Sequence, residues 1–291
     1  VFATKVDRTG KKLAQKKVTV IRRDGKKTGA EADFAFDVAI ASAPIEKDGA
    51  PSEGYVIAWV DTRDGDPEVY AARLNKDLEK TVVDKRITNA KGPASDVSLL
   101  VRGADVFVAF AEAREGPAPD IYFARLASAT LKEQDEDARV YASAGVSRSP
   151  RLIARGTKLT LAWIEEGENA MTGGTLRLAD LTESGRLEHA PRSIGAPAGA
   201  SITAFHLDCS SAEWSSCRGV MTFVGIGQVP ALGAFGFKQD GSPTPIVQLG
   251  SLTSGPFADP LLCAPTASLS EVFFAEESGA RARIRRLSLG W

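Results

Sequence analysis

The side chains best placed to do chemistry stand at the start of several related segments. Asp96-Val-Ser-Leu-Leu-Val-Arg-Gly aligns with Ser149-Pro-Arg-Leu-Ile-Ala-Arg-Gly, and the match extends to Asp259-Pro-Leu-Leu and Phe36-Asp37-Val-Ala-Ile. Asp37, Asp96, Ser149 and Asp259 are therefore equivalent, with Ser201 or Thr203 completing the set. Carboxylates that face one another in a dry channel repel, so they raise each other's pKa or recruit a cation. Oxygen ligands of this kind suit Ca²⁺, and Asp37, Asp96 and Asp259 are the candidate metal ligands. The competing reading, which the residue types favour, has each Asp capping its own opening turn through backbone N–H groups.

Other chemistry is sparse. The chain has two histidines. His206 follows Phe205 in a strand-like run and is a candidate to face a ligand, whereas His189 lies in a polar segment. No Ser/His/Asp set and no nucleophile elbow is visible. Trp214, inside the polar loop between Cys209 and Cys217, is the candidate for stacking on a sugar. A disulfide closing that loop is the expected pairing, which points to an oxidising compartment. Cys263, in the run Pro260-Leu-Leu-Cys-Ala, reads as a buried small hydrophobe.

These positions need elements to hold them, and a repeat supplies the elements. The stretch from Tyr55 to Leu74 reads as strand, acidic turn, strand. Trp59 in its first strand matches Phe110, Trp163, Phe223 and Phe274, at steps of 51, 53, 60 and 51 residues. Val69-Tyr-Ala-Ala-Arg-Leu matches Ile121-Tyr-Phe-Ala-Arg-Leu in the second strand. A period near 50 with short strands is the pattern of a β-propeller, whose blades bury their faces only by stacking. The expectation is an all-β propeller of four-stranded antiparallel blades, five in number, with six as the alternative. It forms one domain over 1–291. Its repeats run at roughly 34–88, 95–142, 149–194, 201–250 and 257–291, with closing strands in 1–21. The N-terminal strand is expected to complete the last blade, whose edge would otherwise be open to pairing.

Asp61 and Glu112 each stand two residues before an arginine, Arg63 and Arg114. The carboxylate–guanidinium pair is expected to pin the hairpin turn, and the acidic run Asp61–Glu68 only faintly resembles a Ca²⁺ loop. The formal net charge of −1 argues against nucleic acid or an acidic membrane as a general partner. No apolar run is long enough to insert in a membrane, and no signal peptide is visible.

The pattern Trp59-x-Asp61-x-Arg63-x-Gly65, followed by Val69-Tyr70, resembles a repeat of exported bacterial β-propellers in the sialidase-like, or BNR-like, group. The resemblance covers 54–88 and 104–140 well and the other repeats weakly. It implies a secreted, periplasmic or cell-surface propeller that is non-catalytic, because the Ser-x-Asp-x-Gly-x-x-Trp boxes of true sialidases are absent. The first functional expectation is thus a non-enzymatic binder of a glycan or protein, a monomer or part of a larger assembly. The alternative is a five-bladed glycoside hydrolase in which two of Asp37, Asp96 and Asp259 act as acid and base.

Overall fold

The computed structural model describes residues 1–19, 35–47, 50–167, 174–197, 199–225, 229–251, 260–263, 269–278 and 281–290. The chain is an all-β propeller, and it falls into two units, Val1–Ala142 and Ser143–Trp291. Among the described residues no helix is long and apolar enough to cross a membrane.

The first unit opens with the hairpin β1 (Phe2–Val6) and β2 (Lys12–Lys17). Asp7 builds its turn by accepting the Thr9 and Lys11 amides at 2.8 and 3.0 Å. The first blade has strands β3 (Ala35–Ser42), β6 (Gly54–Asp61), β7 (Glu68–Asn75) and β8 (Lys80–Arg86) in that spatial order. A small hairpin, β4 (Ile45–Lys47) and β5 (Ala50–Ser52), is inserted after the inner strand. The second blade is β9 (Ala94–Arg102), β10 (Asp105–Glu112), β11 (Asp120–Ala127) and β12 (Ala138–Tyr141).

The second unit repeats the plan. Its blades are β13 (Val146–Arg155) to β14 (Lys158–Glu166), β15 (Thr175–Leu181) and β16 (Arg192–Ile194), then β17 (Ala200–Cys209) to β18 (Cys217–Gly225), β19 (Ala231–Gly236) and β20 (Val247–Ser251). The last sheet is β21 (Leu261–Cys263), β22 (Leu269–Ser278) and β23 (Arg281–Gly290). The N-terminal strand, expected to complete that last sheet, pairs with β2, and the last sheet holds three strands among the described residues.

Stacking of blade faces makes the core, as the repeat required. Val56, Ala58 and Val60 of the first blade pack with Val106, Val108 and Phe110 of the second. Ile164, Leu176 and Leu178 of the third pack with Phe205, Met221 and Phe223 of the fourth. Trp59, Phe110 and Trp163 are fully buried, as expected of side chains that fill the space between sheets.

The hairpin turns are pinned as the spacing predicts. Arg63 pairs with Asp61 at 2.5 Å and with Asp84 of β8 at 2.9 Å, and its guanidinium lies 4.5 Å from the Tyr70 ring centroid. Arg114 repeats this with Glu112 and Asp137, stacked 4.1 Å from the centroid of Tyr122. In the third blade Glu165 is met by Arg177 of the next strand, at 3.2 Å. The acidic turn is therefore a structural clamp.

Candidate active site on the inner strands

The aligned residues share a backbone feature that no single one of them announces. Asp37, Asp96 and Ser149 all have positive φ, at 47°, 55° and 52°. Each begins a two-residue bulge. Asp37 and Val38 oppose Trp59, Asp96 and Val97 oppose Phe110, and Ser149 and Pro150 oppose Trp163. In the fourth blade the register shifts at the equivalent point, around Thr203. A left-handed non-glycine residue is uncommon and costs conformational energy, and bulges of this kind re-aim side chains. A bulky, fully buried aromatic stands opposite each of these three bulges.

Glycine four residues upstream lets the chain enter the bulges at Asp96 and Ser149. A Cβ on Gly92 would sit 2.2 Å from the Ala113 carbonyl oxygen, and one on Gly145 would sit 1.8 Å from that of Glu166. This Gly-x-x-x-Asp/Ser spacing was present in the sequence and is the signal that sequence reasoning missed.

In the first unit the two bulges are tied together. The Asp96 amide donates to Asp37 Oδ2 at 3.0 Å. The carboxylate therefore caps its neighbour's bulge, where the sequence reading had each Asp cap its own turn. The Asp37 side chain is exposed and Asp96 is half-buried, so an open face with two carboxylates on adjacent inner strands results.

In the second unit a cation makes the corresponding link. Arg148, one residue before Ser149, reaches the carbonyls of Thr203 at 2.9 Å and Ile202 at 3.3 Å, and bonds Glu166 at 2.6 Å. Thr203 shares a hydroxyl contact of 2.8 Å with Thr222, and Ser201 Oγ accepts the Gly174 amide at 2.7 Å. Asp259 lies outside the described residues. Among the described residues no group of three His, Cys, Asp or Glu side chains is placed to hold a metal ion.

The other sequence candidates are held by packing. His206 is 7% exposed, and Arg151 donates to its Nε2. Arginine can only donate, so the ring is neutral with its proton on Nδ1. Burial, aided by the Arg151 charge, pushes its pKa down to about 3. Trp214, expected to stand exposed, is half-buried instead. It leans on Phe237 at 5.2 Å, with Arg155 at 4.0 Å and Arg192 at 5.3 Å from its ring centroid. The Cys209–Cys217 disulfide is formed across the β17–β18 pair. Its loop sits on the β13–β14 turn, where a Cβ on Gly156 would lie 2.7 Å from that of Ala212. The side chain of Cys263 lies outside the described residues.

No protein-family profile and no curated protein matches the chain. Solved structures share its fold at low identity. An endo-arabinase from Bacteroides thetaiotaomicron is 10% identical, with 88% of this chain and 93% of that one covered and a TM-score of 0.53. An α-L-arabinofuranosidase from Fusarium graminearum, solved with an iminosugar inhibitor, is 9% identical over 88% and 77%, with a TM-score of 0.58. A protein of unknown function from Dyadobacter fermentans is 9% identical over 89% and 79%, with a TM-score of 0.60. At these identities the likeness carries the fold, and it bears out the sialidase-like resemblance only as far as a propeller. It corrects the expectation of a non-enzymatic binder. Two of these three are an endo-arabinase and an α-L-arabinofuranosidase.

Proposed function

We propose that this propeller is a glycoside hydrolase working at the Asp37–Asp96 bulges. One observation carries the reading. Two carboxylates stand at equivalent strained positions on adjacent inner strands, one open to solvent and orientated by the other's amide. Strain held at matched positions is a device of functional sites. Fold likeness alone does not assign a reaction, and the site must do so.

In the proposed chemistry Asp96 protonates the leaving glycosidic oxygen. Asp37 keeps one oxygen on the Asp96 amide and offers the other to an attacking water. Such pairs act at about 5–10 Å separation, the shorter end forming a covalent intermediate and the longer end inverting. The arabinose-directed neighbours make α-L-arabinofuranosyl bonds the first substrates to try. The disulfide supports export to an oxidising compartment. Should Ca²⁺ take part, Asp37 and Asp96 would be among its ligands, and loss of activity in EDTA is the test.

The decisive experiment measures reducing-end release from arabinan and 4-nitrophenolate release from a panel of 4-nitrophenyl glycosides. Asp37→Asn and Asp96→Asn should each lower kcat by about 100-fold or more while circular dichroism is unchanged. Activity indifferent to both changes, or no turnover on the panel, refutes the proposal.

A further inference from the structure

Arg73 of β7 is 5% exposed, and no carboxylate among the described residues pairs with it. A buried charge without a counter-ion is costly, so what it holds matters. Its guanidinium donates to the carbonyl of Ser128 and, at 2.6 Å, to Ser128 Oγ, just after β11 of the second blade. It also donates to the carbonyls of Ala43 and Pro44, at 3.1 and 2.7 Å.

The repeat shows that this use is particular to the first blade. Arg125 stands at the equivalent place in the second and pairs with Asp105 of β10, in its own sheet, at 2.7 Å. Gly54 stands where Asp105 does, so the first blade offers no such acid. A Cβ on Gly54 would lie 2.6 Å from the Ala43 carbonyl oxygen, one of the atoms Arg73 binds. The glycine thus gives Ala43 room to pass, and its own carbonyl accepts the Ala43 amide at 2.8 Å.

The partners of Arg73 lead to the two inner strands. Ala43 and Pro44 directly follow β3, which carries Asp37. The Ser128 amide donates at 2.7 Å to Ala104, in the turn that ends β9, and β9 carries Asp96. β3 and β9 belong to different sheets, so no ladder sets one against the other. Apolar packing is non-directional, which leaves their relative placement to polar ties. The Asp96 amide bond to Asp37 is the tie at the near ends. Arg73 is the tie at the far ends, six residues or about 20 Å from Asp37. We infer that Arg73 is a positioning residue that sets the separation of Asp37 and Asp96 by holding β3 and β9 in place. Its catalytic consequence rests on the hydrolase reading, because the chemistry of a carboxyl pair depends on its separation.

The test compares wild type with Arg73→Met, Arg73→Lys and the milder Ser128→Ala. Residue-resolved amide exchange should be about tenfold faster at Asp96 in Arg73→Met, intermediate in Arg73→Lys, and about threefold faster in Ser128→Ala. On a cleaved glycoside, Arg73→Met should lower kcat about tenfold and move KM less than threefold. Its alkaline pH limb should shift to lower pH, because a more distant Asp37 raises the Asp96 pKa less. Loss of the arginine charge alone would shift that limb the other way. Exchange that quickens only beside Ala43 and Ser128, with Asp96 unmoved, overturns the inference. So do an alkaline limb that stays or rises and, if Arg73→Met fails to fold, wild-type exchange at Asp96 in both milder variants. The exchange readout needs no turnover, so an inactive wild type refutes the hydrolase reading and leaves the Asp96 amide to decide this one.

Discussion

Replacing Arg63 with methionine isolates the clamp of the first blade. The side chain is 17% exposed and stands between Asp61, 5% exposed, and Asp84, 13% exposed. Methionine keeps most of the volume and removes the charge, so both carboxylates lose a buried partner. Breaking such a pair costs about 3–5 kcal/mol, and the guanidinium contact with Tyr70 adds about 1 kcal/mol. Two bonds moderate the loss. Trp59 Nε1 still donates to Asp61 Oδ2 at 3.0 Å, and Lys80 still pairs with Asp84. About 3 kcal/mol is expected, or roughly 6–12 °C in the melting of a unit this size.

Arg63→Met/Asp61→Asn should recover a large part of that loss, because the stranded charge is gone. The pH dependence gives a second check. Burial pushes the Asp61 pKa up, but bonds from Arg63 and Trp59 outweigh it and hold the carboxyl below its usual range. A depressed carboxyl stabilises the fold above its unfolded pKa and loses that contribution as pH falls through the folded value. The gap between wild type and Arg63→Met should therefore be widest near neutral pH and close in acid. Thermal melts followed by Trp fluorescence, with amide exchange of β6 and β7, measure this. A loss under about 1 kcal/mol, or a double variant as unstable as the sum of the singles, refutes the clamp.

Glu112 should behave in the opposite sense. Its burial outweighs Arg114 and pushes its pKa up to about 7, so it stabilises below its unfolded value and loses that contribution as pH rises from about 4.5 through 7. Glu112→Gln should melt no lower than wild type at pH 8 and relatively lower at pH 4.5, and a wild type that gains on it with rising pH contradicts this. His206, held neutral, should make stability fall below pH 6.5 by up to about 1.4 kcal/mol per pH unit. His206→Gln should flatten that acid limb in denaturant titrations, and an unchanged slope would exclude the histidine. Cys209→Ser/Cys217→Ser opens a loop of nine residues and should cost about 2.5 kcal/mol in urea unfolding, while a loss below about 0.5 kcal/mol would show the loop held by its non-covalent contacts.

The sequence by itself determined the features that are local or repeated. The 51-residue spacing of Trp59 and Phe110 announced stacked sheets, and the two-residue step from Asp61 to Arg63 announced a pair that a hairpin brings together. The alignment of Asp37, Asp96 and Ser149 marked equivalent positions, but that each begins a bulge opposite a buried ring was seen only in the fold. Only the tertiary structure decided which distant partner completes each feature. Asp84 and Asp137 close the clamps from outer strands, Arg151 takes His206 from the neighbouring blade, and Arg155 and Arg192 cover the ring of Trp214. The N-terminal strand likewise turns back on β2 and settles on the first blade. These choices depend on which surfaces meet once the sheets stack, and a charged or aromatic side chain reads the same in sequence whether it faces solvent or a neighbouring blade.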